Sequence, residues 1–283
     1  MEIKKVGVVG CGAMGAGIVQ VSAQAGYQVI VSEINDTLLQ RGMGIIENIL
    51  TKDVKKQKIT QTEKDAIKAC IRGTTDMKDF AGCDIVIEAV IENIELKKKV
   101  FVDLDKICSP QTIFATNTSC LSILDIGIAT NRPDKVLGIH FFNPVPVMKL
   151  VELVRTLTTS DETFDAGKIF AESVGKTVVV TKDTPGFVVN RLLTPQVLNA
   201  VKMLEQGIAG KEDIDNAMKL GLNHPIGPFA LIDLIGVDVI CFIARAIYEE
   251  TKDPQFVIPT LLQKMLTAGW LGRKSGKGFY TYT

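Results

Sequence analysis

Val6-Gly-Val-Val-Gly10-Cys-Gly12-Ala-Met-Gly15 decides how this chain folds. Val6 to Val9 is a short apolar run, the mark of a strand buried on both faces. Three glycines then fall at the spacing G-x-G-x-x-G, with Ala13 and Met14 filling the variable places before Gly15. A helical stretch follows to about Gln24, and Gly26 stops it. Tyr27 to Val31 reads as a second parallel strand, closed by Glu33. Together these make one strand–helix–strand unit of ordinary length.

Each glycine has a physical task. The first allows a tight turn, the second lets a pyrophosphate approach the backbone, and the third lets helix and strand lie close. The helix start offers free N–H groups and partial positive charge to phosphates. Glu33 stands 18 residues after Gly15, near the spacing of a carboxylate that accepts hydrogen bonds from a ribose 2′-OH. No Arg or Lys occurs between Glu33 and Arg41, so a 2′-phosphate would find no cation there. The expected ligand is NAD rather than NADP, held by Gly10, Gly12, Ala13, Met14, Gly15 and Glu33. A Gly-rich turn of some other α/β protein is the plainer alternative.

Farther along, strands and helices alternate. Asp36 to Ala69 reads as helical and carries the basic run Lys52, Lys55, Lys56, Lys58. Strands are expected at Ile85–Ile87, closed by Glu88, at Ile113–Ala115, at Val136–Phe142, at Val147–Val154 and at Val178–Val180. Ile94 to Ile107 reads as an amphipathic helix. After Asp183-Thr-Pro-Gly186 strand signals vanish and helical periodicity runs to about residue 266. The expectation is an α/β Rossmann-type doubly wound sheet over 1–184, followed by an all-α domain over 185–283.

Composition narrows the function class. Lys+Arg and Asp+Glu balance at 32 each, which calls for neither nucleic acid nor an acidic membrane. Val6 to Ser32 carries no charge, but its six glycines and the polar Gln20, Ser22, Gln24 and Gln28 argue against a signal peptide or membrane helix. Among the six cysteines no C-x-x-C pair occurs. No metal site is expected, and the thiols read as reduced, mostly buried residues of a cytoplasmic protein.

In an open parallel sheet, functional groups follow the carboxyl ends of strands. Glu92, Asn117, Ser119 and His140 all stand in such places. His140 is one of two histidines, and an imidazole suits proton exchange with an alcohol near neutral pH. A satisfied core histidine is the bland reading. Glu152 is a lone carboxylate inside the apolar run Leu150-Val-Glu-Leu-Val154, where an unpaired charge is costly. The two prolines of Asn143–Val147 could fold these strands together and pair His140 with Glu152, and the carboxylate would orient the imidazole. A surface position on an edge strand is the alternative for Glu152. Asn190 reads as a capping residue, a packing residue, or a hydrogen-bond partner for substrate. His224, in Asn-His-Pro beside a helix end, reads as structural.

Taken together, Gly10–Gly15, Ala115-Thr-Asn-Thr-Ser119, His140-Phe-Phe-Asn-Pro-Val-Pro-Val-Met-Lys-Leu-Val-Glu152, Asp183-Thr-Pro-Gly-Phe-Val-Val-Asn190-Arg and Lys274-Ser-Gly-Lys-Gly-Phe-Tyr280 resemble the L-3-hydroxyacyl-CoA dehydrogenase family, in order and over nearly the whole chain. The resemblance implies His140 as acid/base with Glu152 as its partner, and Ser119 and Asn190 as contacts to the reacting oxygen or thioester. It implies Glu92, Lys97, Asn117, Ser119 and Lys274 at the NAD site, and Lys52 and Lys56 on the phosphates of an acyl-CoA substrate, to which Ser119 also turns. By itself the lysine run reads as a solvated helix face. A homodimer through the helical domain is also implied. Two departures stand out: Glu33 where the family commonly has Asp, and Cys120 where it commonly has Ser. A dehydrogenase of a free hydroxy acid, a crystallin-like NAD-binding protein without turnover, and a redox-sensing regulator are the competing readings. Four site residues kept together argue against the second, and no DNA-binding patch supports the third.

Overall fold

The computed structural model describes residues 2–282. It divides into two compact units, Met1–Asp183 and Thr184–Thr283.

The first unit is built on the opening stretch. Strand β1 (Lys5–Val9) leads through the glycine turn into helix α1 (Ala13–Gln24), and β2 (Gln28–Ser32) returns beside β1. Gly10 has φ +93°, a left-handed conformation that disfavours a side chain. A Cβ on Gly15 would sit 1.9 Å from the Gly10 carbonyl oxygen. That contact is why helix and strand can meet so tightly.

Helices α2 (Asp36–Lys55) and α3 (Gln61–Ala69) follow, then β3 (Ile71–Thr74). The continuous helix expected over 36–69 is therefore two helices. Gln57 takes a positive φ of 57°, and Thr60 with Glu63 forms a capping box that starts α3 afresh. The two helices are tied by Glu47, which accepts from Lys64 at 2.5 Å and pairs with Lys68 at 2.8 Å. Strand β3, absent from the sequence expectation, pairs in parallel with β2.

The remaining elements are β4 (Ile85–Glu88), α4 (Ile94–Ile107), β5 (Ile113–Thr116), α5 (Ile123–Gly127), β6 (Val136–Phe141), β7 (Leu150–Arg155), α6 (Asp161–Ser173) and β8 (Thr177–Lys182). The sheet order is β3-β2-β1-β4-β5-β6-β7-β8. Every neighbouring pair is parallel except β6 with β7. β7 begins at Leu150, three residues later than expected, because Pro144 to Lys149 form the turn that reverses the chain. Strands β1, β4, β5 and β6 are almost wholly buried, as a sheet covered on both faces requires.

The second unit is helical: α7 (Val189–Glu205), α8 (Lys211–Leu222), α9 (Pro228–Ile235), α10 (Val237–Thr251) and α11 (Thr260–Thr267). Two buried carboxylates organise it. Asp215 accepts from the Phe229 and Ala230 N–H groups and so caps α9. Asp233 accepts from the Phe279 and Tyr280 N–H groups and from the Tyr282 hydroxyl. The segment after α11 is thereby strapped to the helices, with the Phe279 ring tilted against that of Phe229, centroids 4.7 Å apart. No helix among the described residues is long and apolar enough to cross a membrane.

Candidate active site

The glycine turn lies where β1 meets β4, the point at which the strand order reverses and such sheets bind their ligand. Gly12 caps α1, yet no side chain caps this helix and its first turn carries no acid. Its N–H groups are thus offered outward. A Cβ at Gly12 would meet nothing within 4 Å, so open space stands above the turn. Glu33 closes one side, its Oε1 accepting from the Cys11 N–H at 2.7 Å. An uncapped helix start, an open cradle and a carboxylate at its rim are what a dinucleotide requires. The Cys11 thiol is buried, and burial pushes its pKa up to about 12, with the charge of Glu33 adding to the rise. It therefore stays a thiol.

On the other side of the turn is a charged cluster. Glu88, fully buried at the end of β4, accepts from the Val90 N–H, the Lys97 ammonium and the Thr116 hydroxyl, each at 2.7 Å. Lys97 is 1% exposed and also lies 3.3 Å from Glu92. Glu92 in turn accepts from the Thr118 hydroxyl at 2.5 Å and the Ser119 N–H at 2.8 Å. Lys97, Glu92 and Ser119, three residues of the expected site, thus form one bonded chain. Glu88 and Thr116 were absent from that expectation. The signal was present: Lys97 takes the place of an apolar residue on the buried face of α4, in line with Val100, Phe101 and Leu104, and such a lysine needs a buried acid.

Asn117 accepts from the Phe141 N–H at 2.9 Å, which ties the end of β5 to the end of β6. There His140 faces Glu152 directly across the antiparallel pair. Their Nδ1 and Oε2 atoms are 2.7 Å apart, with 5% and 0% of the residues exposed. A carboxylate accepts only, so Nδ1 carries the proton and exchange with a substrate falls to Nε2. The Phe142 ring lies 4.6 Å from the imidazole. The turn joining the two strands is held by Lys176, a buried ammonium that donates to the Val145 and Met148 carbonyls at 2.5 and 2.9 Å. Burial lowers its pKa from the usual lysine value.

Over residues 5–184 the chain matches the 3-hydroxyacyl-CoA dehydrogenase NAD binding domain, and over 186–282 the C-terminal domain of the same enzymes. The chain belongs to the 3-hydroxyacyl-CoA dehydrogenase family. Among its relatives is the 3-hydroxybutyryl-CoA dehydrogenase of Mycobacterium tuberculosis, 46% identical over 282 residues and 99% of each chain. The mitochondrial hydroxyacyl-coenzyme A dehydrogenase of Mus musculus is 44% identical, covering 99% of this chain and 91% of that one. The crystal structure of (S)-3-hydroxybutyryl-CoA dehydrogenase from Ralstonia eutropha superposes with a TM-score of 0.97 at 44% identity, covering all of both chains.

As a 3-hydroxyacyl-CoA dehydrogenase the protein is an NAD-dependent oxidoreductase on a Rossmann-type sheet with a helical C-terminal domain. Other expected residues lie outside the bonded chain just described. Lys52 and Lys56 are exposed at the end of α2. Asn190, half-buried in the first turn of α7, and Lys274, whose ammonium lies 2.5 Å from Asp238, belong to the helical unit. His224 donates its backbone N–H to the Met218 carbonyl at the end of α8. No group of acids, cysteines and histidines suited to a metal occurs among the described residues.

Proposed function

We propose that the protein catalyses the reversible oxidation of (S)-3-hydroxybutyryl-CoA to acetoacetyl-CoA. The buried His140–Glu152 pair carries this reading, because a histidine held in one tautomer at a strand end is what proton exchange with a hydroxyl needs. Bound NAD, resting on the glycine turn and Glu33, supplies the hydride acceptor. As the C3–H bond breaks, Nε2 of His140 takes the proton of the 3-hydroxyl. Glu152 stabilises the imidazolium that results. In reverse His140 returns the proton to the forming alkoxide. Ser119 and Asn190 hold the oxygen in line by hydrogen bonds, a positioning effect. Glu92 and Lys97 act at the cofactor site by fixing the backbone of Ser119, and Asn117 and Lys274 complete that site.

Lys52 and Lys56 bind the CoA phosphates as point charges on an exposed helix end. The 1–184 unit binds the cofactor, and the 185–283 unit serves substrate and self-association. Leu192, Leu220 and Leu222 of the helical unit are 72%, 85% and 63% exposed, apolar surface that a second copy would cover in a homodimer. A cytoplasmic location agrees with six unbridged cysteines.

The test is His140→Gln, followed by NADH absorbance with acetoacetyl-CoA. Turnover should fall by roughly 10²–10⁴-fold while NADH affinity stays within about threefold. Turnover within about tenfold of the parent removes His140 from the mechanism. CoA as competitor separates an acyl-CoA substrate from a free hydroxy acid.

A further inference from the structure

The Glu88–Lys97–Glu92 cluster holds two carboxylates around one ammonium. Its other contacts are neutral groups: Val90 N–H and the Thr116 hydroxyl on Glu88, the Thr118 hydroxyl, Ser119 N–H and Cys120 thiol on Glu92, and the Val90 carbonyl on Lys97. None brings a second cation. One negative charge is left over, and it lies toward Glu92, the member whose side chain is 26% exposed against 0% and 1% for the other two.

Its place in the fold is specific. Ala89 and Val90 lie against Gly10, since a Cβ on that glycine would meet the Ala89 carbonyl at 2.8 Å and Val90 N at 3.3 Å. The cluster therefore borders the phosphate turn on the side away from Glu33. Through Thr118 and Ser119 it reaches the end of β5, and Asn117 ties that end to Phe141, next to His140. A dinucleotide spans the two halves of such a sheet. With Glu33 on the ribose of the adenosine half, a bound dinucleotide would turn its nicotinamide half toward the ends of β4 and β5. The nicotinamide ring carries a positive charge when oxidised and none when reduced.

We propose that the net negative charge of this cluster is a determinant of cofactor redox preference, tightening NAD⁺ relative to NADH. Lys97 and Glu88 act inside the protein: the single ammonium is shared by two acids, which holds Glu92 in place and leaves the cluster one negative charge in excess on its exposed side. Glu92 then does two things at once, bracing the Ser119 backbone and presenting a carboxylate to the nicotinamide half. The inference uses the NAD site alone and stands apart from the role of His140.

The test is a pair of affinities, NADH by fluorescence titration and NAD⁺ by calorimetry, without substrate. Glu92→Gln keeps an oxygen for Ser119 but removes the charge. Glu88→Gln leaves Lys97 neutralised by Glu92. Either variant should weaken NAD⁺ relative to NADH by roughly fivefold to twentyfold. The double variant Glu88→Gln, Lys97→Met breaks more bonds yet restores one net negative charge, and its NAD⁺-to-NADH preference should return to within about twofold of the parent. A purely structural cluster predicts the opposite order, with both affinities falling together and most in the double variant. A parent-like ratio in Glu92→Gln, the partly exposed and least disruptive change, overturns the proposal.

Discussion

Two alanines placed three residues apart in the glycine turn should have different consequences. Gly12 has φ −71° and ψ −166°, values open to any residue, and a Cβ there touches nothing within 4 Å. Gly12→Ala should therefore leave folding nearly unchanged. Less freedom in the unfolded chain favours it by about 0.4–1 kcal/mol, while alanine is a poorer helix cap than glycine by a few tenths or more. Its methyl, however, occupies the space above the uncapped start of α1. Two charge-assisted hydrogen bonds to phosphate, worth roughly 1.5–3 kcal/mol each, would be lost or stretched, so NADH should bind at least about a hundredfold more weakly. Gly15→Ala instead places its Cβ 1.9 Å from the Gly10 carbonyl oxygen, backbone against backbone. It should lower the unfolding midpoint as well as binding. Thermal melts and NADH fluorescence titrations on both variants give the comparison. NADH affinity within about threefold of the parent in Gly12→Ala refutes the placement of the phosphates, and an unchanged melt in Gly15→Ala refutes the steric account of the turn.

Burial raises the thiols of Cys11 and Cys83 to about 12 and those of Cys108 and Cys241 to about 11, against about 8.5 in an unfolded chain. Below pH 8.5 these groups are neutral in both states; above it the unfolded chain loses protons the fold retains. Stability should then fall with rising pH to about pH 11, by up to roughly 1.4 kcal/mol per unit per thiol, seen as a drop in urea midpoint that Cys241→Ala lessens. A flat urea midpoint from pH 8.5 to 10.5 would contradict it. Glu152→Gln should lower kcat by roughly tenfold or more with little change in KM for acetoacetyl-CoA, and an unaltered kcat would dissolve the catalytic pair. Neutralising Lys52 and Lys56 together should raise that KM by roughly threefold to tenfold and blunt its salt dependence, with KM for NADH unmoved. Identical KM values at low and high salt would return these lysines to a solvated helix face.

What was legible in the sequence was what is local. The β1–turn–α1–β2 unit follows from an apolar run, three glycines and an acid, each acting within a few residues. Strand β3 was not legible. Ile71-Arg-Gly-Thr74 has one apolar residue and half-exposed ends, and it is a strand only because β2 offers it a partner. The break between α2 and α3 carries neither glycine nor proline, so periodicity runs through it. Only the Thr60–Glu63 cap marks it. At the site, Glu88 reads in the sequence as the end of a strand; its bond to Thr116 arises from the pairing of β4 with β5, and its bond to Lys97 from the way α4 folds back over the end of β4. For Lys97 the sequence shows a lysine on the apolar face of α4, and the fold adds the two acids, Glu88 and Glu92, that its ammonium meets. The facing of His140 and Glu152 was anticipated from two prolines and an isolated charge, both visible without the fold.

That facing has a consequence for how the protein can change over time. Among the described residues His140 and Glu152 sit opposite each other in the one antiparallel pair of the sheet, so their separation is a property of the ladder. Loss or gain of one residue within β6 or β7 would throw one side chain through to the far face. A change of two would slide it by about 6.6 Å, out of reach of its partner. Between them, Pro144 to Lys149 belong to no ladder and are held at separate points: Lys176 on the Val145 and Met148 carbonyls, the Thr177 N–H on the Lys149 carbonyl, and the buried Val145 side chain against Gly17. Descendants of this chain can therefore lengthen the exposed part of the turn, around Val147, more readily than either strand.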